Sequence, residues 1–545
     1  MSIKRAFVSL NNGNQVHYRT AGKGAPLVML HPSPQNSETL IPAISKFSEY
    51  CQCFALDTPG YGLSDDIDVE IPEIGDYVGP IMEAITNLGI DKFCLYGSAT
   101  GGQIGIELAK RFPDRILLLM LDTNGHFTQE EIENTMDGYF PLVDAKRDGG
   151  HLLTYWDMCR HLYVSFPWNS SKAQDKINID LPSAEAIHTI FLRYLSAGET
   201  YAKAYMAALK TEHVGHIIDV KVPTTILRWQ GSILLSATDA LIEKGLADNF
   251  QVLNAGPTLD ERYQVQLDAL KELYLQDPVL TEKVSIQSDK KKLRRYVYNG
   301  KDVSVNYLHN NRTEKKPVII IHDLGASINT IPKIEFKDRP IFIADLPGHG
   351  DSSPLTENLS INDFTKPLVE MFNELNIDAF DIIAFGSGAI VAFELSDILN
   401  VENISIFDLI PINDSMKFDN NQILPKIDGS HIPTIWAMAR DSELYYPWNI
   451  HNRENILHSD PNLNPSYLHE KAVNIFRTVY IQKDLELIKT RYKWDEKIQN
   501  SKSTIRMAYS ANYPDKLKVT HSLKTQHVTI ELPEDTSLWV DLLFN

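Results

Sequence analysis

The sequence repeats itself, and this repetition limits the folds open to the chain more than any other feature. The stretch LGIDKFCLYGSATGGQIGIEL at 88–108 aligns without a gap on LNIDAFDIIAFGSGAIVAFEL at 375–395. Further along, RDGGHLLTYWDMCRHLYVSFPWN at 147–169 aligns on IDGSHIPTIWAMARDSELYYPWN at 427–449. Two pairs of matching segments that occur in the same order indicate repeated structural units. We therefore predict a tandem duplication.

The length of the chain also requires more than one domain. At 545 residues it exceeds the roughly 100–250 residues of a usual domain. The segment at 277–292 lacks apolar periodicity and lies between the two copies, so we place the linker there. The two domains are then predicted at residues 1–284 and 292–545.

Each copy has the pattern of an α/β domain. Short β-branched apolar runs alternate with helical patterns, which predicts a mostly parallel sheet with helices on both faces. Each copy also contains a long helix-rich stretch, at about 126–221 and about 412–500, which follows a buried strand. We interpret these two stretches as inserted helical caps.

Both copies resemble the α/β-hydrolase superfamily. The first reads LVMLHPSPQNS and then CFALDTPGYGLSD, and the second reads VIIIHDLGAS and then IFIADLPGHGDSS. Each is a buried strand ending in His, a loop, and a second strand ending in Asp-x-Pro-Gly-x-Gly. The glycine-rich turn and the inserted cap follow in the superfamily's order. The resemblance implies two α/β-hydrolase-type domains, of which the second is the more degenerate.

The residue that the superfamily uses as nucleophile is missing from both copies. Gly97 and Gly101 have the spacing of the G-x-S-x-G elbow, and this frame places Ala99 at its tip. The same frame in the second copy places Gly386 there. Ser98 is next to the tip and projects in another direction, so we expect its hydroxyl to bond local backbone. The sequence therefore predicts no covalent nucleophile.

The other two triad members are also missing from their usual places. Gln230, Gly231 and Ser232 stand where the superfamily has its acid. The segments 250–264 and 528–539, which match the superfamily's histidine loop, contain no histidine. A Ser-His-Asp constellation cannot be assembled from these residues.

The turn nevertheless retains groups that could bind a small molecule. The resemblance implies that the N–H of Thr100, which follows the tip, is an oxyanion donor. Pro32 and Pro34 carry no N–H, so the neighbouring loop must donate from Ser33 or Gln35. The predicted substrate-binding residues are His31, Ser33, Ser98, Ala99, Thr100 and Trp156.

The cap motif supplies the predicted catalytic residues, His151 and Arg160. Trp156 and Arg160 are four residues apart and share a helix face. A Trp beside an Arg suits a planar or anionic ligand, although packing of the cap and an ion pair to the core explain the same residues. His151 is nine residues before Arg160 and lies on the opposite side of a continuous helix. It faces the same pocket only from the turn before the helix.

The composition favours a soluble protein that binds small molecules. A net charge of −19 disfavours nucleic acid and anionic membranes as partners. There is no signal-like start and no apolar run of about 18 residues, so we expect no membrane association and a cytoplasmic location. The four cysteines form no zinc-like spacing, and we expect no metal and no cofactor. The second copy is expected to be mainly structural and to pack on the first as an internal pseudo-dimer.

These features lead to three hypotheses about function. The first is an enzyme that acts on a small organic carbonyl or ester substrate through the first domain, without a serine nucleophile. The second is a catalytically inactive binding or scaffolding protein. The third is a non-hydrolytic lyase or a cofactor-free oxygenase, because fold alone does not determine the reaction.

Overall fold

The structure is a computed structural model that describes residues 2–177, 179–274, 293–298, 304–309, 315–332, 334, 339–409 and 419–509. The predicted linker at 277–292 and the segment 528–539 lie outside the described residues. Internal contacts divide the chain into two compact units. The first comprises Met1–Asp144 and His151–Asp289, and the second comprises Ala145–Gly150 and Lys290–Asn545.

The first unit is built on an eight-stranded sheet in the order β1-β2-β4-β3-β5-β6-β7-β8. The pairs β1/β2 and β2/β4 are antiparallel, and the remaining pairs are parallel. The central strands are buried on both faces, as parallel strands covered by helices must be. The strands are β1 Lys4–Ser9, β2 Gln15–Ala21, β3 Pro26–Leu30, β4 Gln52–Leu56, β5 Phe93–Ser98, β6 Ile116–Asp122, β7 Thr224–Trp229 and β8 Phe250–Ala255.

Ten α-helices are described in the first unit. Five of them lie between β6 and β7 and form what we call the helical insertion. The helices are α1 Ile41–Phe47, α2 Val78–Asn87, α3 Thr100–Arg111, α4 Gln129–Tyr139, α5 Gly150–His161, α6 Ala184–Ala197, α7 Lys203–Thr211, α8 Val214–Ile217, α9 Leu235–Glu243 and α10 Leu259–Tyr274. The insertion, α4 to α8, falls within the 126–221 range predicted for the cap.

The second unit repeats the strand order of the first. Its seven described strands run β9-β10-β12-β11-β13-β14-β15, with the first two pairs antiparallel and the others parallel. The strands are β9 Leu293–Tyr298, β10 Ser304–His309, β11 Val318–Ile321, β12 Ile341–Ala344, β13 Ala379–Phe385, β14 Asn400–Phe407 and β15 Thr504–Ala508. The helices are α11 Asn362–Glu374, α12 Ala389–Ile398, α13 His431–Asp441, α14 Pro465–Thr478, α15 Gln482–Arg491 and α16 Trp494–Asn500. The predicted α/β class with mostly parallel sheets is confirmed.

A buried histidine at the end of a central strand makes the same two hydrogen bonds in each unit. His31 Nδ1 lies 3.0 Å from the carbonyl oxygen of the next residue, and its Nε2 accepts from Thr58 N–H at 2.9 Å. His322 repeats both contacts, at 2.8 Å to the next carbonyl and 2.9 Å from Leu346 N–H. These bonds join the end of one strand to the Asp-x-Pro-Gly turn after its neighbour. The recurrence supports the duplication, which stays a prediction.

The segment Ala145–Gly150 belongs to the second unit, where it meets Trp436 of α13. The indole N–H of Trp436 donates to the carbonyl of Arg147 at 3.2 Å. A Cβ added at Gly149 would lie 2.5 Å from the indole ring, and Gly149 has a φ of +77°. This position therefore requires glycine for both space and backbone conformation. No helix in the described part of the chain is long and apolar enough to span a bilayer.

Candidate functional site

The turn between β5 and α3 has a strained backbone centred on Ala99. Ala99 has φ 46° and ψ −112°, a region that residues with a side chain rarely adopt. Its N–H donates to the carbonyl of Asp122 at 2.9 Å, and its carbonyl accepts from Gln103 N–H at 3.0 Å. The Asn124 amide also donates to that carbonyl at 3.3 Å. The turn presents the methyl group of Ala99 where the elbow would present a nucleophile.

Three glycines allow the turn to pack this closely. A Cβ at Gly97 would overlap the carbonyl of Gly101, and a Cβ at Gly101 would overlap the carbonyl of Leu30. A Cβ at Gly102 would overlap the side-chain amide of Asn124. These positions are therefore glycine because a side chain would not fit there.

Polar groups of Thr100 and Ser33 converge beside Ala99. Thr100 is the first residue of α3, so its N–H has no acceptor within the helix. Ser33 N–H donates to the Thr100 hydroxyl oxygen at 3.4 Å, and both residues are buried. The Thr100 hydroxyl can then donate its own proton outward. One N–H group and one hydroxyl, both of Thr100, are thus available near the tip, at the positive end of a helix.

His31 holds this loop in place and does not act as a base. It has no exposed surface, and burial lowers its pKa below the ordinary value, so the ring is neutral near pH 7. Both ring nitrogens are already hydrogen bonded to backbone groups. These contacts give His31 a structural role, and its contact with a substrate stays a prediction.

Ser98 does not point toward the tip. It is the last residue of β5 and pairs with Asp122 of β6. Side chains alternate along a strand, so Ser98 shares the sheet face of Cys94 and Tyr96, the face that packs against α1 and α10. Ser98 is therefore not placed to replace the missing nucleophile, and its predicted contact with substrate is not supported by this geometry.

The residues predicted from the cap motif do not form one constellation. His151 is the second residue of α5 and has no exposed surface, so it lies within the helix and not in the preceding turn. Nine residues separate it from Arg160, which places the two on opposite sides of α5. Trp156 is 1% exposed and packs edge-on against Phe191 of α6 at 5.6 Å. The structure places His151 inside α5, so it does not bring His151 and Arg160 together on one face of that helix.

Arg160 makes no ion pair with a carboxylate among the described residues. Its Nη1 lies 3.4 Å from Nε2 of its neighbour His161. Its Nε is buried without a hydrogen-bond partner among the described residues. The alternative explanation of Arg160 as one half of an ion pair to the core is therefore not supported.

A buried ion pair directly below the turn was not foreseen from the sequence. Arg262 of α10 donates to both carboxylate oxygens of Asp122, at 3.0 and 2.9 Å. Tyr96, Thr123 and Gln266 donate to the same carboxylate at 2.7, 2.9 and 3.2 Å. Burial opposes ionisation of Asp122, but Arg262 and these bonds outweigh it and hold its pKa below the ordinary value. The carboxylate is saturated and is not free to serve as a triad acid.

The other positions of a triad are also accounted for in the first unit. Asp239 is occupied by a bidentate pair with Arg228, at 2.5 and 2.9 Å. The loop after β8 contains no histidine. Among the described residues of this unit, no Ser-His-Asp arrangement is present at the turn, and no group of three His, Cys, Asp or Glu side chains in the described ranges could hold a metal ion.

The second unit has a corresponding turn, with Gly386 at its tip and the side chain of Asp323 beside it. Gly386 has a φ of +51°, and a Cβ added there would lie 2.8 Å from the carboxyl carbon of Asp323. Ser387 donates to Asp323 Oδ1 from its N–H at 2.8 Å, and its hydroxyl donates to the same oxygen. A carboxylate of the chain itself therefore fills the space beside this turn.

Comparisons with known proteins find enzymes that act on small organic compounds. The chain is 32% identical over 130 residues to a cis-3-alkyl-4-alkyloxetan-2-one decarboxylase of Shewanella oneidensis, covering 23% of this chain and 41% of the enzyme. It is 29% identical over 109 residues to an (E)-2-((N-methylformamido)methylene)succinate hydrolase of Acinetobacter baylyi, covering 20% of the chain and 41% of the enzyme. It is 28% identical over 102 residues to haloalkane dehalogenase 2 of Mycobacterium tuberculosis, covering 19% of the chain and 36% of the enzyme. The matched region thus spans about two fifths of these relatives, and no family model matches the sequence.

Proposed function

Because the chain is a member of the α/β-hydrolase superfamily, we propose that its first unit binds a small organic carbonyl or ester compound at the Ala99 turn and acts on it without a covalent intermediate. The observation that carries this proposal is the backbone of Ala99. The turn keeps the strained conformation that presents a side chain to a ligand, although a methyl group cannot attack. The named relatives, a decarboxylase, a hydrolase and a dehalogenase, support a small organic substrate.

The chemistry that this site can supply is stabilisation of negative charge. The N–H of Thr100 and the proton of its hydroxyl suit a carbonyl oxygen on which charge develops during a reaction. We assign proton transfer to water, because His31 is fully hydrogen bonded and His151 is buried in α5. The same arrangement would serve hydrolysis, a lyase reaction or reaction with oxygen, so the reaction type stays open.

A non-catalytic binding or scaffolding role is the second candidate. The saturated pair of Asp122 and Arg262 favours it, because the acid closest to the turn is held in a structural network. In this case the site would bind a ligand and release it unchanged. We also propose that the second unit is mainly structural and that the two units form an internal pseudo-dimer, a proposal supported by the motif that both copies share.

Labelling and turnover together test the proposed function. The wild-type chain is incubated with a fluorophosphonate and, separately, with a panel of chromogenic esters. We expect no covalent adduct and no burst, with steady hydrolysis of at least one ester that is abolished by Ala99→Leu. Ser98→Ala is the matched control and should leave both readouts unchanged.

The outcomes separate the candidates. Binding of an ester without turnover would favour the second candidate. Stoichiometric labelling of Ser98 would overturn the proposal, because it would show a covalent nucleophile beside the tip.

A further inference from the structure

The loop beside the turn has the same backbone in both units but a different residue at one position. The carbonyl of Pro32 accepts from the preceding histidine at 3.0 Å and from Gln35 N–H at 3.1 Å. The carbonyl of Asp323 accepts from its own preceding histidine at 2.8 Å and from Ala326 N–H at 2.9 Å. Pro32 and Asp323 are therefore structural counterparts.

In the second unit, Asp323 behaves as a ligand that the chain supplies to itself. Its carboxylate accepts the N–H and the hydroxyl of Ser387, directly after the turn residue Gly386. These donors lie at the start of the helical segment that continues into α12, where the partial positive charge of unpaired N–H groups favours an anion. The space beside this turn thus accommodates a carboxylate.

In the first unit the corresponding donors are present and the carboxylate is not. Thr100 corresponds to Ser387 and offers the same two donors, an N–H and a hydroxyl, at the start of the twelve-residue helix α3. Ser33 N–H donates to the Thr100 hydroxyl oxygen at 3.4 Å, which leaves the hydroxyl proton to be donated elsewhere. Pro32 has no group that could satisfy these donors.

We propose that the Thr100 turn of the first unit binds the carboxylate of a small organic acid, in the way that the Ser387 turn of the second unit binds Asp323. This inference rests on the proposed function and narrows its ligand class from carbonyl compounds in general to compounds that carry a carboxylate. Binding is non-covalent. One carboxylate oxygen accepts both Thr100 donors, as Asp323 Oδ1 accepts both Ser387 donors.

The test compares charged and uncharged probes on the full chain by calorimetric titration. The probes are benzoate and pivalate, with benzamide and methyl benzoate as uncharged matches. We expect one equivalent of carboxylate to bind the wild type, and the uncharged probes to bind at least about tenfold more weakly, because charge-assisted hydrogen bonds are the stronger ones.

Reciprocal substitutions locate the site. Pro32→Asp supplies the internal carboxylate and should abolish binding, whereas Pro32→Ala removes the proline ring without adding a charge and should retain it. Asp323→Ala should raise the stoichiometry from one to two by opening the second turn. This gain does not depend on whether Pro32→Asp folds, which circular dichroism checks.

The outcomes distinguish this inference from the proposed function. If methyl benzoate binds and benzoate does not, and Pro32→Asp has no effect on ester binding, the carboxylate inference is overturned and the proposed function stands. If no probe binds and no ester is hydrolysed, both are overturned. If Asp323→Ala gains no carboxylate site, Asp323 is not acting as a ligand and the inference loses its basis.

Discussion

The guanidinium of Arg262 donates two hydrogen bonds to the Asp122 carboxylate, and the backbone carbonyl of the same aspartate accepts the N–H of Ala99. The ion pair therefore fixes the position of Asp122, and Asp122 in turn holds the strained turn through its backbone carbonyl. Arg262 also lies 4.3 Å from the ring centre of Trp229, which adds a cation–π contact at the end of β7. One side chain of α10 thus ties the ends of two strands to the turn.

Breaking this pair should destabilise the first unit strongly. Arg262→Gln leaves a buried carboxylate without its cation, and we expect a loss of about 3–5 kcal/mol of unfolding free energy. Adding Asp122→Asn should recover part of that loss, because the double variant no longer buries an unpaired charge. Urea denaturation of Arg262→Gln, Asp122→Asn and the double variant measures the coupling.

The partly exposed pair of Arg228 and Asp239 provides the control. Arg228→Gln should cost about 0–1 kcal/mol, as expected for ion pairs near the surface. An Arg262→Gln loss as small as that of the control would show that the buried pair does not support the turn.

Stability should depend on pH through Glu212, which lies between α7 and α8 of the helical insertion. Glu212 is 6% exposed, and its carboxylate accepts one hydrogen bond among the described residues, from Gly125 N–H at 3.2 Å. Burial raises its pKa to about 8, from 4.5 in an exposed chain. Between these two values the folded unit keeps a proton that the unfolded chain has lost. This contribution to stability is therefore fully present below pH 4.5 and is lost as the pH rises toward 8.

Glu212→Gln removes the ionisable group and should flatten this dependence. At pH 8.5 we expect the variant to be more stable than the wild type by an amount on the order of a few kcal/mol, and the difference should shrink at pH 5. Urea midpoints at both values measure it. Glu243→Gln, at an exposed position, should change neither midpoint, and equal pH profiles for the wild type and Glu212→Gln would contradict the prediction.

A hydroxyl restored at the tip should not restore serine catalysis. Ala99→Ser places an oxygen on the strained turn, but no described histidine of the first unit is placed there to take its proton. We expect neither a burst of nitrophenol from a chromogenic ester nor stoichiometric labelling by a fluorophosphonate. Rapid labelling of this variant would reveal a base that the geometry does not show.

Gly149→Ala should destabilise the second unit through Trp436. The substitution combines a left-handed backbone with overlap between the new methyl group and the indole ring. Gly245→Ala is the control, because Gly245 also has a positive φ, +85°, but its Cβ would meet nothing within 4 Å. Both should lose about 1–2 kcal/mol from the backbone, and Gly149→Ala should lose more in urea denaturation. Equal losses of unfolding free energy would mean that the Trp436 indole moves aside without destabilising the unit.

The sequence predicted the local features of the fold well, because each depends on residues close together in the chain. The glycine spacing around Ala99 predicts the tight turn, because a Cβ at Gly97, Gly101 or Gly102 would overlap neighbouring atoms. Alternating strand and helix patterns likewise report the parallel sheets. A pattern of neighbouring residues suffices for such features.

Pairs distant in the chain were not predicted. Arg262 meets a carboxylate 140 positions away, and nothing in the segment around either residue identifies the partner. A signal did exist, because an aspartate that ends a strand as apolar as LLLMLD requires a buried cation. His151 lies inside α5 because the helix begins at Gly150, whereas a histidine in the preceding turn requires a helix that begins after residue 151.

The matched histidines His31 and His322 give the molecule an internal reference standard. Each closes the same two backbone bonds within its own unit, so the two imidazole rings should give comparable resonances in one sample. The effect of a substitution on the histidine signal of one unit can then be compared with the signal of the unmodified unit, under identical buffer, temperature and concentration. A shift of one histidine signal while the other stays unchanged would report a local change in one half of the chain. Such a comparison is not affected by differences between preparations.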